Sequence, residues 1–327
     1  MIRVEDLKFK ISSTPHVRAN CSTQDIMLDV VIALMPAAFA GVFLFGQRAL
    51  AVLAVSVLAC VGFELIYQLV AHKKVTVNDF SAVVTGMLLG LTMPSGVPYY
   101  VIVVAAFISI IVTKQLFGGL GQNFMNPALV GRAFVLASFP VAMTSFAIHK
   151  IDLFSKVDVR TGATPLAQEY IGKIGFKEHF LGMYENGGAI PGCIGETCAL
   201  ALLIGFGYLL VRRVISARIP LAYIGSVMLM TLAFGSNAPA NAQNPITAVM
   251  TGGVLLGAIF MATDYVTSPT TSWGQIIFGV GCGVITCVIR FWGGYPEGVT
   301  YAILLMNVLT PLIDRWTVPK PFGKVKE

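Results

Sequence analysis

The sequence has little charge: Asp, Glu, Lys and Arg make up 12% of its 327 residues, whereas 56% are hydrophobic. In soluble domains about a quarter of the residues are charged, so this balance excludes an ordinary soluble protein and predicts a polytopic membrane protein. The formal net charge is +6. Because the basic residues cluster at the ends of apolar segments, orientation in a bilayer accounts for them, and nucleic-acid binding is not expected.

The sequence also lacks a cysteine cluster suited to an iron–sulfur centre and a glycine fingerprint suited to a dinucleotide. Its six cysteines include the pairs Cys193–Cys198 and Cys282–Cys287. The i, i+5 spacing places neither pair on one helix face, so we expect small buried hydrophobic side chains and no metal site. The opening stretch MIRVEDLKFKISSTPHVR has no apolar core and is not expected to be a signal peptide.

Long apolar runs fill most of the chain. A helix needs about 20 apolar residues to cross a hydrocarbon core of about 30 Å, and this length marks ten candidate segments. They are 27–46, 51–71, 81–97, 100–117, 126–143, 196–213, 219–235, 245–263, 273–291 and 297–314. The fifth contains Arg132, for which a position near one membrane face and a position inside the helix bundle both remain open.

Lysine and arginine residues accumulate on one side of this arrangement, among them Lys73, Lys74, Lys114 and the basic residues near both termini. The short loops of the other side contain Arg48 and Arg290. The positive-inside rule therefore predicts cytoplasmic termini and an extracytoplasmic position for the long polar segment. The predicted parts are a cytoplasmic segment (1–26), a first membrane repeat (27–143), an extracytoplasmic loop (144–195), a second membrane repeat (196–314) and a cytoplasmic tail (315–327).

Two stretches in the first half resemble stretches in the second. SAVVTGMLLG, from residue 81, is similar to TAVMTGGVLLG, from residue 247, and KQLFGGLGQ is similar to IRFWGGYPEG. With five segments per half, the second copy begins on the opposite side of the membrane, so the pattern predicts an all-α protein with an inverted five-plus-five repeat. Such repeats suit a transporter or channel. Broken segments such as TMPSGVP, FGGLGQNFMNP and FWGGYPEG mark its expected pathway or ligand site.

The longest polar segment contains DVRTGATPLAQEY at residues 158–170. Its D-x-x-T-G-A-T pattern puts Thr164 after a Gly-Ala turn with an exposed backbone and an accessible hydroxyl. Asp158 can accept hydrogen bonds or hold a metal during a group transfer. Taken alone, however, the pattern is also that of a polar turn, because Asp, Thr and Gly are common in loops.

The motif DVRTGATPLA resembles the flavin-attachment motif D-x-x-[ST]-G-A-[ST] of the respiratory Rnf and sodium-pumping quinone reductase complexes. Further stretches, from the N-terminal tail to the last segment, resemble the RnfD family of membrane subunits: TPHVRANCST, KQLFGGLGQNFMNPALVGRAF, MATDYVTSP and RFWGGYPEGVTYAILLMNVLTPLID. The related B-type component of the quinone reductase has a similar pattern with a longer N-terminal region. The length of this chain therefore favours the Rnf complex.

The resemblance implies that Thr164 carries FMN through a phosphoester bond, formed by a separate flavin transferase that takes FMN from FAD with a divalent metal. Asp158, Thr161, Gly162 and Ala163 would form the recognition sequence of that transferase. It also implies a ten-helix, urea-transporter-like fold and an electron-carrying subunit that is not catalytic alone. Ferredoxin and NAD would bind to other subunits, and electron transfer between them would be coupled to sodium or proton movement across the cytoplasmic membrane.

The resemblance further implies a non-covalent riboflavin in the membrane domain. Its expected site is the broken segment KQLFGGLGQNFMNP, with Phe117 able to stack on the isoalloxazine and Lys114, Asn123 and Asn126 as further candidates. The alternative is that the glycines only permit a turn and that Asn126 caps the next helix.

Acidic residues within the membrane are the candidates for an ion pathway, chiefly Glu64 and Asp264. Glu64 also lies near enough to AHKK to reach the membrane surface, and Asp264 could equally be a helix cap or an oxygen ligand of a cation such as sodium. The alternatives to a flavin-carrying subunit are a solute channel or facilitator and a structural anchor for redox partners.

Overall fold

The computed structural model describes residues 22–148, 160–162, 164–166, 174–184, 188–238, 240–293, 295 and 297–318. Elements of the first half are α1 (Thr23–Phe45), α2 (Gln47–Val70), a 3-10 turn (Val77–Asp79), α3 (Ser81–Leu91), α4 (Tyr99–Phe107) with a π-helical extension (Ile108–Gln115), α5 (Pro127–Ser138) and α6 (Pro140–Thr144).

The connecting segment contains β1 (Phe146–Ile148), β2 (Arg160–Gly162) and α7 (Phe176–Leu181). The second half contains α8 (Ala199–Val211), α9 (Arg218–Phe234), 3-10 turns (Gly235–Asn237 and Ala240–Ala242), α10 (Pro245–Met250), α11 (Val254–Leu256) with a π-helical extension (Gly257–Met261), α12 (Ser272–Trp292) and α13 (Val299–Thr317). Because β1 and β2 pair as an antiparallel ribbon, the expectation of a purely helical chain is wrong for these described residues.

Four described helices are both long and apolar enough to cross a membrane: Thr23–Phe45, Gln47–Val70, Arg218–Asn237 and Ser272–Trp292. The protein is therefore a multi-pass membrane protein. Other apolar helices are shorter, and α3, with 11 residues, rises about 16 Å, which is about half of a hydrocarbon core. The fold thus combines full spans with helices that end inside the bundle.

The short helices end and begin where the sequence interrupts them. α3 ends at Leu91, immediately before TMPSGVP, and α10 is separated from α11 by Thr251–Gly253. At the start of α5, the side chain of Asn126 accepts hydrogen bonds from the backbone N–H groups of Ala128 and Leu129. This confirms the alternative prediction that Asn126 is a helix cap.

The two halves meet along two helix pairs, since α1 packs against α8 and α5 packs against α13. Within the halves, α2 packs on α3 and α4, while α9 packs on α10 and α12. Glycine permits the closest approaches: a Cβ added to Gly86 of α3 would lie 2.7 Å from the Cα of Val57 in α2. This packing surrounds two polar regions, one beside Lys114 and one beside Thr164.

Candidate functional site

A cavity of about 100 Å³ lies between the two halves and is called here the Lys114 cavity. Its polar wall includes the side chains of Ser81, Lys114, Asn123, Asn126 and Asp264. Apolar residues of α1, α3, α5 and α8 and of the segments 214–215 and 260–266 form much of the remaining wall. The cavity therefore brings together three of the residues predicted for riboflavin and one of the acids predicted for an ion pathway.

A buried ion pair supports one side of this cavity. The Nζ atom of Lys114 lies 2.9 and 3.0 Å from the carboxylate oxygens of Glu64 and donates to Ser81 Oγ at 2.6 Å. Gln115 Nε2 donates to Glu64 Oε1 at 2.8 Å. Both charged side chains are at most 2% exposed. A buried ammonium needs such a complete set of acceptors, because an unpaired charge would be very costly there.

Asn126 connects the two halves at the cavity. Its Nδ2 donates to the carbonyl oxygen of Met261, the last residue of the π-helical extension of α11, at 3.3 Å. π-Helical segments are rare and often occur at functional sites. Lys114 belongs to the π-helical extension of α4. The π-helical extensions of α4 and α11 therefore both contribute residues to the cavity wall.

Thr164 lies in a second, much smaller pocket of about 20 Å³, called here the Thr164 pocket. Side chains from distant parts of the chain line it, including His179, Glu196, Thr251 and Glu297. Thr164 is only 4% exposed. The expectation of an accessible hydroxyl is therefore wrong for this structure, because the loop residue is enclosed by the segments that precede α8 and α11.

Asn241 holds the polypeptide next to Thr164. Its Nδ2 donates to the carbonyl oxygen of Pro165, and its Oδ1 accepts a hydrogen bond from the backbone N–H of Ile174, both at 3.2 Å. Leu166 is buried against the bend at Gly252. These contacts fix the position of residues 164–166 over the break between α10 and α11.

Two buried arginines lie near the Thr164 pocket. Arg132 forms an ion pair with Glu297 and donates to Cys193 Sγ at 3.5 Å. Arg290 donates to the carbonyl oxygens of Ala248, Thr251 and Gly252 at 2.7 to 2.9 Å. Those carbonyls lie at the C-terminal end of α10, where the helix dipole favours a cation.

Burial changes the titration of two groups of the pocket that lie outside the long helices. It lowers the pKa of His179, an effect that the neighbouring Glu178 opposes, so the imidazole is neutral at neutral pH. Burial, assisted by the Glu297 carboxylate, raises the pKa of Glu196 to about 7. Both shifts favour the uncharged forms of the two side chains.

A profile of the NQR2, RnfD, RnfE family matches residues 10–323, nearly the whole chain. The chain belongs to the NQR2, RnfD, RnfE family.

Curated members of the family cover almost the full length of the chain. It is 47% identical to the D subunit of the Na(+)-translocating ferredoxin:NAD(+) oxidoreductase complex of Acetobacterium woodii, over 99% of this chain and 98% of that protein. It is 44% identical to the D subunit of the proton-translocating ferredoxin:NAD(+) oxidoreductase complex of Clostridium ljungdahlii, over 96% of each. The predicted resemblance to the RnfD family is confirmed, and so is membership of a translocase in which this chain is not catalytic alone.

The residues predicted to contact the flavins do not all lie together in the structure. Phe117 is not part of the described cavity wall, and its ring packs on Phe124 with centroids 4.9 Å apart. Asp158 and Ala163 lie outside the described residues, whereas Thr161 and Gly162 belong to β2, opposite Ala147 and Phe146. The attachment motif therefore continues from a β-ribbon into a buried threonine.

Several charged residues do not lie where the sequence predicted. Lys114 was counted on the cytoplasmic side and Arg290 in a short loop of the opposite side, but both are buried. Glu64 does not reach the surface, since it is 1% exposed and paired with Lys114. For Arg132, the position inside the bundle is confirmed. The charge-counting rule assigned Lys114 and Arg290 to the two membrane sides because both lie near segment ends, where the sequence does not reveal a buried partner.

Glu196 and Glu297 were missed as site residues. The signal that could have identified Glu297 is its place in FWGGYPEG, one of the broken segments already marked from the sequence.

Asp264 accepts hydrogen bonds from the Val266 backbone and the Thr267 hydroxyl, at 3.4 and 3.3 Å. It therefore has the predicted capping contacts and also lines the Lys114 cavity.

Proposed function

We propose that this chain is the flavin-carrying membrane subunit of an Rnf-type ion-translocating ferredoxin:NAD oxidoreductase, with FMN bound covalently to Thr164 and riboflavin bound in the Lys114 cavity. The observation that carries the proposal is the D-x-x-T-G-A-T motif in a chain of this family, with its last threonine next to buried charged groups. The flavins supply the redox chemistry, and the protein supplies their position and electrostatic surroundings.

The proposed fold is an inverted five-plus-five repeat of membrane segments, similar to urea transporters. One half comprises α1–α5 and the other α8–α13, with α10 and α11 forming one broken segment. The symmetric helix pairs α1–α8 and α5–α13 support a two-fold relation between the halves. The breaks after α3 and between α10 and α11 support it further. Such folds place ligands at the interface of their repeats, which is where the Lys114 cavity lies.

The burial of Thr164 limits when FMN can be attached. The Thr164 side chain is only 4% exposed, and the free space of about 20 Å³ that it lines is too small for an isoalloxazine ring. Flavinylation therefore requires residues 164–166 to leave the pocket, or has to precede their docking. The flavin transferase is proposed to act on the undocked segment, recognising Asp158, Thr161, Gly162 and Ala163.

The Lys114 cavity has the donor set that a flavin pyrimidine edge requires. Lys114, whose ammonium already donates to Glu64 and Ser81, adds positive charge to the wall, and Asn123 and Asn126 place amide groups there. Riboflavin bound there would supply a redox centre inside the membrane domain. Asp264 and Glu64 remain the proposed ion-pathway acids, Asp264 in the cavity wall and Glu64 behind Lys114.

Intact mass of the purified chain tests the proposal as a whole. A chain that carries FMN as a phosphoester is heavier than its sequence by one FMN less one water. A solute channel or a structural anchor has the mass of the sequence alone. A mass equal to the sequence, measured on chain produced together with the flavin transferase, would overturn the covalent assignment.

Replacement of Asn123 by Leu is expected to reduce the retained non-covalent flavin about tenfold, because a buried flavin group would lose a hydrogen-bond partner worth about 1.4 kcal/mol. The measurement is chromatography of flavin released by denaturation, with the covalent flavin counted separately in the precipitated protein. Phe117→Leu is the matched control and is expected to retain the parental amount, since Phe117 lies outside the described cavity wall. If Phe117→Leu lost the non-covalent flavin and Asn123→Leu retained it, riboflavin would lie beside Phe117.

Orientation is tested by labelling with a thiol reagent that cannot cross the membrane. Lys177 in α7 and Lys74 before α3 are both exposed, so a cysteine at either position can react. We expect Lys177→Cys to react in intact cells and Lys74→Cys to react only after lysis. The parental chain controls for its native cysteines, of which Cys60, Cys193, Cys282 and Cys287 are buried. The reverse result would place the flavin loop on the cytoplasmic side.

A further inference from the structure

Glu196 is a buried acid whose hydrogen bonding is incomplete. Its Oε1 accepts a hydrogen bond from the backbone N–H of Cys193 at 2.8 Å, but its Oε2 has no partner among the described residues. The side chain belongs to a residue only 7% exposed, and no ion pair in the described part of the chain includes it. An ionised carboxylate in this condition costs several kcal/mol unless a positive charge or another donor reaches it.

Other unpartnered polar atoms line the same pocket. Thr197 Oγ1 and His179 Nε2 are both buried without a hydrogen-bond partner among the described residues. The pocket volume is about 20 Å³, and a space of roughly 10–15 Å³ is enough for one water molecule. The pocket can therefore hold one particle of the size of a water molecule or a small ion.

Glu297 supplies a second carboxylate on the wall of this pocket. Potential ligand atoms of Glu196, Glu297 and Cys193 all lie within 4.8 Å of one another. Arg132 already pairs with Glu297 and donates to the Cys193 sulfur. Arg290 has three carbonyl acceptors of its own. Glu196 forms no ion pair with either arginine among the described residues.

We propose that Glu196, Glu297 and Thr197 form a binding site for one small monovalent cation of the sodium class in the Thr164 pocket. Two carboxylates and a hydroxyl are hard oxygen ligands of the kind that alkali and alkaline-earth cations take. The buried guanidinium groups of Arg132 and Arg290 near the two carboxylates leave too little negative charge for a divalent cation. A soft metal would require the Cys193 sulfur, which already accepts a hydrogen bond from Arg132.

The site is independent of the flavin proposal, because it is formed by residues on the wall of the pocket and not by a group on Thr164. Its position next to Thr164 has a consequence if both proposals hold. Negative charge on a reduced flavin would then favour occupancy by the cation, and loss of the cation would disfavour reduction.

The test measures the thermal unfolding midpoint of the purified full-length chain against sodium chloride at mildly alkaline pH. Choline chloride keeps the ionic strength constant, and a chelator removes transition metals. We expect a saturable rise of the midpoint with sodium and a weaker response to potassium. Glu196→Gln is expected to remove the sodium response, and Thr197→Val to weaken the apparent sodium affinity about tenfold, as expected for loss of one ligand worth about 1.4 kcal/mol.

Asp314→Asn is the matched control, since Asp314 of α13 lies on the wall of neither cavity, and it is expected to keep the parental sodium response. A parental midpoint that does not depend on sodium would show that the pocket holds only water or a proton, and would overturn the proposal. So would an equal response to sodium, potassium and choline, or a full sodium response in Glu196→Gln. If Glu196→Gln does not fold, the parental selectivity and the Thr197→Val affinity decide the question.

Discussion

Thr164→Ala is expected to abolish the flavin fluorescence that remains with the chain on a denaturing gel and to lower its intact mass to that of the sequence. The hydroxyl of Thr164 is the proposed ester position, so alanine leaves no atom to which the phosphate can be attached. The substitution removes only a hydroxyl and a methyl group from a buried side chain, at a cost of about 1–2 kcal/mol. The chain should therefore still fold and insert.

Two neighbouring variants control this experiment. Thr164→Ser keeps a hydroxyl and is expected to retain covalent flavin. Thr161→Ala, which changes a residue of β2, is expected to retain part of it, because Thr161 serves recognition and not attachment. A Thr164→Ala chain with parental fluorescence and parental mass would place the attachment at another residue.

The buried Lys114–Glu64 pair is expected to give the second large effect. Glu64→Gln leaves the Lys114 ammonium without its carboxylate, and Lys114→Met leaves the carboxylate without its ammonium. Each change should lower the free energy of unfolding by about 3–5 kcal/mol, because an uncompensated charge remains at a position at most 2% exposed. The double variant should lose less than the sum of the two. Denaturation of the detergent-purified chain measures the free energy of unfolding of the parental chain, the two single variants and the double variant, which together form a double-mutant cycle.

The Arg212–Asp29 pair provides the matched control. Its arginine side chain is 55% exposed, so Arg212→Gln should cost at most about 1 kcal/mol. If Glu64→Gln costs no more than Arg212→Gln, the Lys114–Glu64 pair is either hydrated or uncharged in the folded protein. Riboflavin retention, measured on the same samples, shows whether Lys114 also contributes to the cavity as a ligand.

The sequence predicts the local features of this fold well. The apolar segments, the early end of α3 and the cap at Asn126 all depend on residues that are close together in the chain. The buried charge pairs could not be predicted in this way. Glu64 and Lys114 are 50 residues apart, and Arg132 and Glu297 are 165 apart, so each pair exists only after the helices pack. Burial of Thr164 has the same origin, since its pocket is built from four distant segments.

The two hydrogen bonds of Asn241 have a consequence for variation in the loop. One amide group holds both Pro165 and Ile174, so the chain between them starts and ends at a single anchored point. Lengthening a loop between fixed ends costs only about 0.6 kcal/mol per doubling. Insertions between residues 166 and 174 would change mainly the closure entropy of the chain between the two anchored residues, and we expect the position of Thr164 over the helix break to stay the same.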